Sequence, residues 1–285
     1  MIKRLLGWFL SLSVCSSLFA FLVSLLFETA VATAQQTPVT VAAVNNPDML
    51  ELKKLSSKFL QQNPNISLKW VIVEENTLRE RVTMDVSQGS SQFDLVFLGL
   101  YEAPIFAKHG WLQPIGGLPA DYDIEDVFKS LRDGLSYDGK LVALPFYAES
   151  SFLMYRKDLF EQKGLKMPDQ PTYDDVSKFA AALNDKEHGF YGLALRGQPG
   201  GGENMAAVNT MANTFGAAWF DMQWHPTLDT PAWKNALSTY VDLVKKYGPP
   251  GVTANGFNEN LTLFASGKAA MWIDATVAGG YPGKS

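Results

Sequence analysis

Apolar positions along this chain switch repeatedly between a short period and a helical one. Val39 to Val44 is an apolar, β-branched run that predicts a buried strand. Asn45-Asn46-Pro47-Asp48 follows as a turn, with Asp48 as the expected N-cap and Glu51 three residues on. Met49, Leu52, Leu55 and Phe59 then recur at helical spacing and predict one apolar face. Ile66 to Val73 predicts a second strand, Leu78 to Val86 a second helix, and Asp94 to Leu98 a third strand. Tyr101 to Lys108 predicts a third helix, stopped at Gly110. This βαβαβ order implies right-handed crossovers and a largely parallel sheet.

The middle of the chain changes character. Tyr137-Asp138-Gly139-Lys140 predicts a hairpin turn into Leu141 to Leu144, and Phe152 to Arg156 predicts another strand. A helix is expected from a Thr172 cap, with Asp175 at its third position, to about Leu183, and another from Asn204 to Phe215. Thr230-Pro231 opens a third, with Trp233, Leu237, Tyr240, Val241 and Val244 as its face and Gly248 at the C′ position. Asn258 to Ser266 predicts the last helix and Ala269 to Ile273 the last strand, which Asp274 would end. A domain boundary is expected near Tyr147 to Ser151.

Composition and charge narrow the setting. Lys3 and Arg4 precede an apolar run from Leu5 to Phe27, and Ala32-Thr33-Ala34 precedes Gln35. That is the charged, apolar and small-residue order of an export signal over residues 1–34, and the length of the run leaves an uncleaved anchor as the second reading. Cys15 follows Leu12-Ser13-Val14, so the bulky Val14 argues against a lipid-attachment site. From Gln35 onward 22 basic and 28 acidic side chains leave a net charge of −6 and no cysteine. Disulfides and thiol chemistry are thereby excluded, and nucleic-acid binding, which needs a concentrated basic surface, is not expected.

Catalytic motifs are sparse. His109, His188 and His225 stand at no metal-ligand spacing. Gly283-Lys284-Ser285 resembles the end of a phosphate loop, but Ala278 stands where its first glycine belongs. Neither cofactor nor metal is expected. More telling are Tyr101, Glu102, Tyr147, Glu149, Trp219, Trp224, Trp272 and Asp274, which the pattern puts at or beside segment ends. Flat rings against C–H faces, with carboxylates and amides on hydroxyls, are how sugars are held. Core packing is the alternative for the aromatic residues, and solvated strand ends for Glu149 and Asp274.

Gly139-Lys140-Leu141, Ala143 to Glu149, Tyr155 to Phe160 and Gly164-Leu165 closely resemble the crossover of the family 1 extracellular solute-binding proteins of ABC importers. Pro168, Pro171 to Tyr173, Asp175 and Phe264 to Met271 continue the likeness, which runs in order from Val39 to Gly279. Within that family the chain most resembles the sorbitol- and mannitol-type polyol binders, through Asn45 to Asp48, Tyr101 to Pro104, Arg196-Gly197, Gly202 to Asn204 and Trp272 to Asp274. Maltodextrin binders carry a Gly-Pro-Trp after the second signature, where this chain has Ala275-Thr276-Val277.

The resemblance implies an α/β fold of the two-lobed, type II periplasmic-binding-protein class. A first lobe would occupy 35–147 and a second 148–285. Ligand would meet Asn46 and Tyr101 or Glu102 from the first, Glu149 at the crossover, and Arg196, Asn204 and Asp274 from the second, with Tyr147 and Trp272 as further candidates. A polyol or small sugar would be captured in the periplasm and delivered, by a monomer, to inner-membrane ABC permease subunits. Family members continue beyond the point matched by Ser285, so a C-terminally truncated copy is expected. The alternatives are a secreted carbohydrate enzyme using Glu149 and Asp274 as acid and base, or a nonfunctional remnant.

Overall fold

A computed structural model describes residues 36–280. The expected leader, Cys15, the cleavage site and Gly283-Lys284-Ser285 lie outside the described residues. The chain divides into two compact units, Met1–Val39 with Ser56–Lys69 and Thr40–Leu55 with Trp70–Ser285. In the smaller unit the Thr37 N–H donates to the Asn65 carbonyl at 2.7 Å, and Gln36 Nε2 to the Pro64 carbonyl at 2.9 Å. The larger unit holds every candidate site residue.

The first strands and helices follow the pattern of the sequence. β1 (Thr37–Val44), α1 (Pro47–Gln62), β2 (Ile66–Val73), α2 (Glu75–Gln88), β3 (Leu95–Val96) and α3 (Ala103–Lys108) come in order. They form a three-stranded sheet in the order β2-β1-β3, and β1 and β3 run parallel with Val41 opposite Leu95. Ala42, Leu78, Val82 and Phe106 are buried together as its core.

Three expectations are corrected here. Asn46, not Asp48, caps α1: its Oδ1 accepts the Met49 N–H at 2.9 Å, and Pro47 fills the first helical position, where no N–H is needed. Of the expected α1 face only Met49 is fully buried; Leu52 is half-buried, and Leu55 and Phe59 stand 47% and 43% exposed. The third helix starts at Ala103 rather than Tyr101, with Glu102 as its N-cap residue and Pro104 inside the first turn.

The rest of the chain builds further apolar clusters, the largest of them from Leu153 onward. α4 (Lys129–Gly134) leads to the hairpin β4 (Ser136–Tyr137) and β5 (Lys140–Leu141), whose turn residues Asp138 and Gly139 have φ of 48° and 71° as such a turn requires. Then come β6 (Ser151–Tyr155), α5 (Lys157–Gln162), α6 (Tyr173–Leu183), α7 (Asn204–Thr214), α8 (Pro231–Tyr247), α9 (Phe257–Ala265), β7 (Met271–Ala275) and a 3₁₀ turn, Thr276–Gly280. Phe160, Phe179, Leu193, Leu195, Met211 and Leu243 lie at the centre of that largest cluster. Thr172 and Asp175 form the expected capping box on α6. No helix among the described residues is long and apolar enough to cross a membrane.

Helix α8 differs from expectation in its face and its end. Trp233, Ala236, Tyr240, Leu243 and Val244 are buried, a narrow stripe of period near 3.5, while Leu237 and Val241 sit one position aside and are exposed. The small Ala236 hides that stripe in the sequence. Gly248 closes the helix in an extended conformation (φ −82°, ψ 169°), not a left-handed one. A glycine is needed there because a Cβ would stand 2.6 Å from the Val244 carbonyl oxygen. At the other end Thr230 Oγ1 accepts the Trp233 N–H at 3.4 Å. Thr230→Ala is expected to lower unfolding free energy by about 1 kcal/mol in a urea titration. An unchanged midpoint would show that so long a bond caps nothing.

Candidate functional site

Strand β7 was expected to end before Asp274. It runs through it instead, pairing antiparallel with β6 from Tyr155 opposite Met271 to Ser151 opposite Ala275. Both faces of β7 are covered, so Met271, Trp272 and Asp274 are all buried. On its other side Ala194 lies parallel to Trp272, donating to the Met271 carbonyl at 2.8 Å. That register carries Arg196 alongside Asp274. Arg196 Nε stands 3.1 and 3.0 Å from the two carboxylate oxygens of Asp274, and Nη2 reaches Oδ1 at 2.5 Å. Trp272 Nε1 donates to Oδ2 at 3.0 Å and the Ala275 N–H to Oδ1 at 2.7 Å. The lone pairs of Asp274 are therefore committed within the protein.

Arg196 is the hub of this cluster. Its Nη1 donates to the Gly202 carbonyl at 2.5 Å and lies 3.6 Å from Glu203 Oε2, and its guanidinium carbon sits 5.1 Å from the centre of the Phe257 ring. Burial opposes its charge, but the bonds and charges of Asp274 and Glu203 hold its pKa above the ordinary value. Glu203 is only 3% exposed. Burial pushes its carboxyl up to about 7, against the pull of Arg196 and with the push of Glu74 and Glu75. It also accepts the Phe257 N–H at 3.2 Å, at the start of α9. Asn204 is drawn inward, its Oδ1 accepting the Gly200 N–H at 3.2 Å. A cavity of about 40 Å³ beside Arg196, Asp274, Ser151 and Thr210 has room for a water molecule or two.

A second arginine cluster stands at the start of α2. Arg79 Nη1 donates to Glu102 Oε2 at 2.8 Å and to the Phe97 carbonyl at 3.0 Å, while Nε and Nη2 both reach Glu75 Oε1, at 2.8 and 2.6 Å. Glu102 also accepts the Gly99 N–H at 2.6 Å and is buried. Its role here is to hold Arg79. Tyr101, next to it, is 54% exposed.

Asn46 and Tyr147 meet directly, Nδ2 to Oη at 3.0 Å, although they are far apart in the chain. Burial pushes the Tyr147 hydroxyl pKa up, so it stays a neutral donor and acceptor. Glu149 is exposed, with Oε1 accepting the Val277 N–H at 3.0 Å. Burial of part of the carboxyl raises its pKa, opposed by that amide and by Arg196. Two aromatic residues are not brought to the site. Trp219 donates to Asn209 Oδ1, midway along α7, at 2.6 Å and packs edge-on to Trp233. Trp224 is 79% exposed in a turn with φ of 66°. Trp272 is 1% exposed, so its ring packs in the core, against Phe257 and Phe264, and its indole N–H orients Asp274.

Sequence reasoning overlooked Arg79, Glu75, Glu74 and Gln198, and named Glu203 only within a motif. The i,i+4 spacing of Glu75 and Arg79 was a usable signal, lost because the helix was expected to begin only at Leu78. Among the described residues no group of three or more His, Cys, Asp or Glu is placed to hold a metal ion.

Against known proteins, the model of the bacterial extracellular solute-binding protein family matches residues 43–284. A mannitol-binding protein of Pseudomonas aeruginosa is 54% identical over 243 residues, 85% of this chain and 56% of that protein. A solved ABC transporter solute-binding protein of Agrobacterium vitis with bound D-mannitol superposes with a TM-score of 0.79 at 54% identity, over 85% of this chain and 58% of that one. A second, from Agrobacterium radiobacter in complex with ribitol, gives 0.73 at 27% identity, over 85% and 61%. The chain spans little more than half the length of these relatives. The likenesses bear out the expected fold class, the two-lobed α/β architecture.

Proposed function

We propose, from the premise that this chain belongs to the bacterial extracellular solute-binding protein family, that it captures an acyclic polyol, mannitol foremost. The polyol would be handed in the periplasm to inner-membrane ABC permease subunits. The observation that carries this is the 54% identity, over 85% of the chain, to proteins described by their mannitol binding. We take the first lobe to be 35–147 and the second 148–285, with ligand between them and the protein acting as a monomer.

The chemistry of the site suits such a ligand. An acyclic polyol offers a hydroxyl on every carbon and no flat ring face, so it needs donors and acceptors more than stacked aromatic rings. Asn46, Tyr147, Glu149, Arg196 and Asn204 supply both, with Tyr101 at the rim. Asp274 acts one step back, by holding Arg196, with Trp272 behind it, and Glu102 holds Arg79. This also favours binding over hydrolysis: a glycosidase needs two carboxyl groups free to exchange protons, and Asp274 is locked to Arg196.

The test is a thermal-shift series of the chain with D-mannitol, D-sorbitol, ribitol and maltose. A ligand at 100 times its Kd adds about 2.7 kcal/mol to stability, so a hexitol should raise Tm where maltose does not. Glu149→Ala should then weaken hexitol binding by about 1.5–3 kcal/mol, the worth of a hydrogen bond to a charged group. A melt that no polyol moves would sink the reading; a shift with maltose alone would move it to glucans.

A further inference from the structure

Three consecutive glycines, Gly200, Gly201 and Gly202, precede Glu203 at the start of α7. None has a positive φ, so none is there for backbone freedom. Each instead stands against a side chain from the proposed first lobe. A Cβ on Gly200 would collide with the Asn76 amide, whose Cγ would be 3.0 Å away. One on Gly201 would stand 3.1 Å from the Tyr101 hydroxyl. One on Gly202 would lie 2.8 Å from both Cγ and Cδ of Glu75 and closer still to its Oε1. Hydrogen bonds fasten the same surfaces, Asn76 Nδ2 to the Pro199 carbonyl at 3.0 Å and Gln198 Nε2 to Glu74 Oε1 at 3.2 Å.

We infer that Gly200–Gly202 and the first turn of α2 form a clasp that sets ligand affinity without touching ligand. The inference rests on the two-lobed binding reading above. Gly202 is where the facing side chain is held most firmly. Glu75 cannot swing aside, because Arg79 holds its Oε1 through two nitrogens and is itself held by Glu102 and the Phe97 carbonyl. On the other side the Gly202 carbonyl accepts from Arg196. A bare Cα therefore lets one arginine cluster close on the other, and a methyl group there would prop them apart. Asn76, Glu75 and Gly202 are in this sense positioning residues. If the competent state is closed, lowering its population lowers apparent affinity in proportion.

The experiment is a double-mutant cycle on the full chain with D-mannitol as probe, using Gly202→Ala, Glu75→Ala and both together. Gly202→Ala alone is expected to raise Kd about tenfold or more, through faster release with an unchanged association rate. In the Glu75→Ala background, where the obstructing Cγ and carboxylate are gone, the same substitution should cost less than about threefold. A full cost in both backgrounds, or none in the wild type, would overturn the clasp. Amide hydrogen exchange without ligand decides the matter independently of the ligand's identity. Protection at Asn76 to Arg79 that falls in Gly202→Ala and returns in the double variant supports it, and unchanged protection overturns it. Failure of the wild type to bind any polyol, with that exchange pattern intact, would count against the polyol reading alone.

Discussion

Asp274→Ala is expected to lower unfolding free energy by about 3–5 kcal/mol, the cost of leaving one member of a buried ion pair without its partner. The expectation rests on what the carboxylate holds. It receives Arg196 through Nε and Nη2, the Trp272 indole and the Ala275 amide, and it is 5% exposed. Its removal leaves a guanidinium whose side chain is only 12% exposed with just the Gly202 carbonyl and Glu203 as partners, and a buried indole N–H unsatisfied. Asp274→Asn keeps the size but loses the charge, and should fall between alanine and wild type. Removing both charges with Arg196→Met and Asp274→Leu should cost less than the sum of the single changes, because neither member of that pair is left without the other, although Glu203 loses its neighbouring cation. Urea unfolding followed by far-ultraviolet circular dichroism reads all of these. A loss under about 1 kcal/mol for Asp274→Ala would mean that water reaches Arg196 freely and that the cluster positions nothing. Affinity for a polyol should fall further than stability alone explains, since Arg196 would no longer be held in place.

Much of this was legible in the sequence where one element decides its own form. Ile66 to Val73 alternates and is a strand with those bounds; Thr172 with Asp175, and Thr230 with Pro231, announce the starts of α6 and α8. What a single element cannot settle was read less well. Asn46 and Asp48 are both good caps by type, and only the position of Pro47 as the first helical residue decides for Asn46. Asp274 reads as a strand end because a carboxylate in a covered strand is costly, and the missing term is Arg196, far away in the chain. For the same reason Trp272 reads as a ring at a cleft until its neighbours Phe257 and Phe264 are known. Candidate residues could thus be named from the sequence, but not which of them would hold one another. Those pairings come from partners brought together by tertiary structure.

Glu203 gives the second large effect, with the opposite sign from Asp274. A carboxyl pushed up to about 7 from an ordinary 4.5 keeps its proton in the folded state where the unfolded chain has lost it. The folded state then binds more protons than the unfolded one between those values, so stability rises as pH falls from about 7 toward 4.5. Above about pH 7 the folded chain carries the full cost of a buried charge, which the gap sets at about 3 kcal/mol. Glu203→Gln removes that cost while keeping an acceptor for the Phe257 N–H and nearly the same volume. The variant is expected to be more stable than wild type by up to about 3 kcal/mol at pH 8, with the difference vanishing near pH 4. Denaturant midpoints of the two proteins from pH 4 to 8 test this, because titrating groups not coupled to Glu203 cancel in the difference. Parallel curves would mean that Glu203 ionises as an ordinary acid and that its burial is not electrostatically felt. A growing advantage for the variant would show that the chain keeps a destabilising carboxyl beside Arg196. Glu203 lies where Arg196, the clasp and the start of α9 meet, so the cost of its charge is felt at that junction.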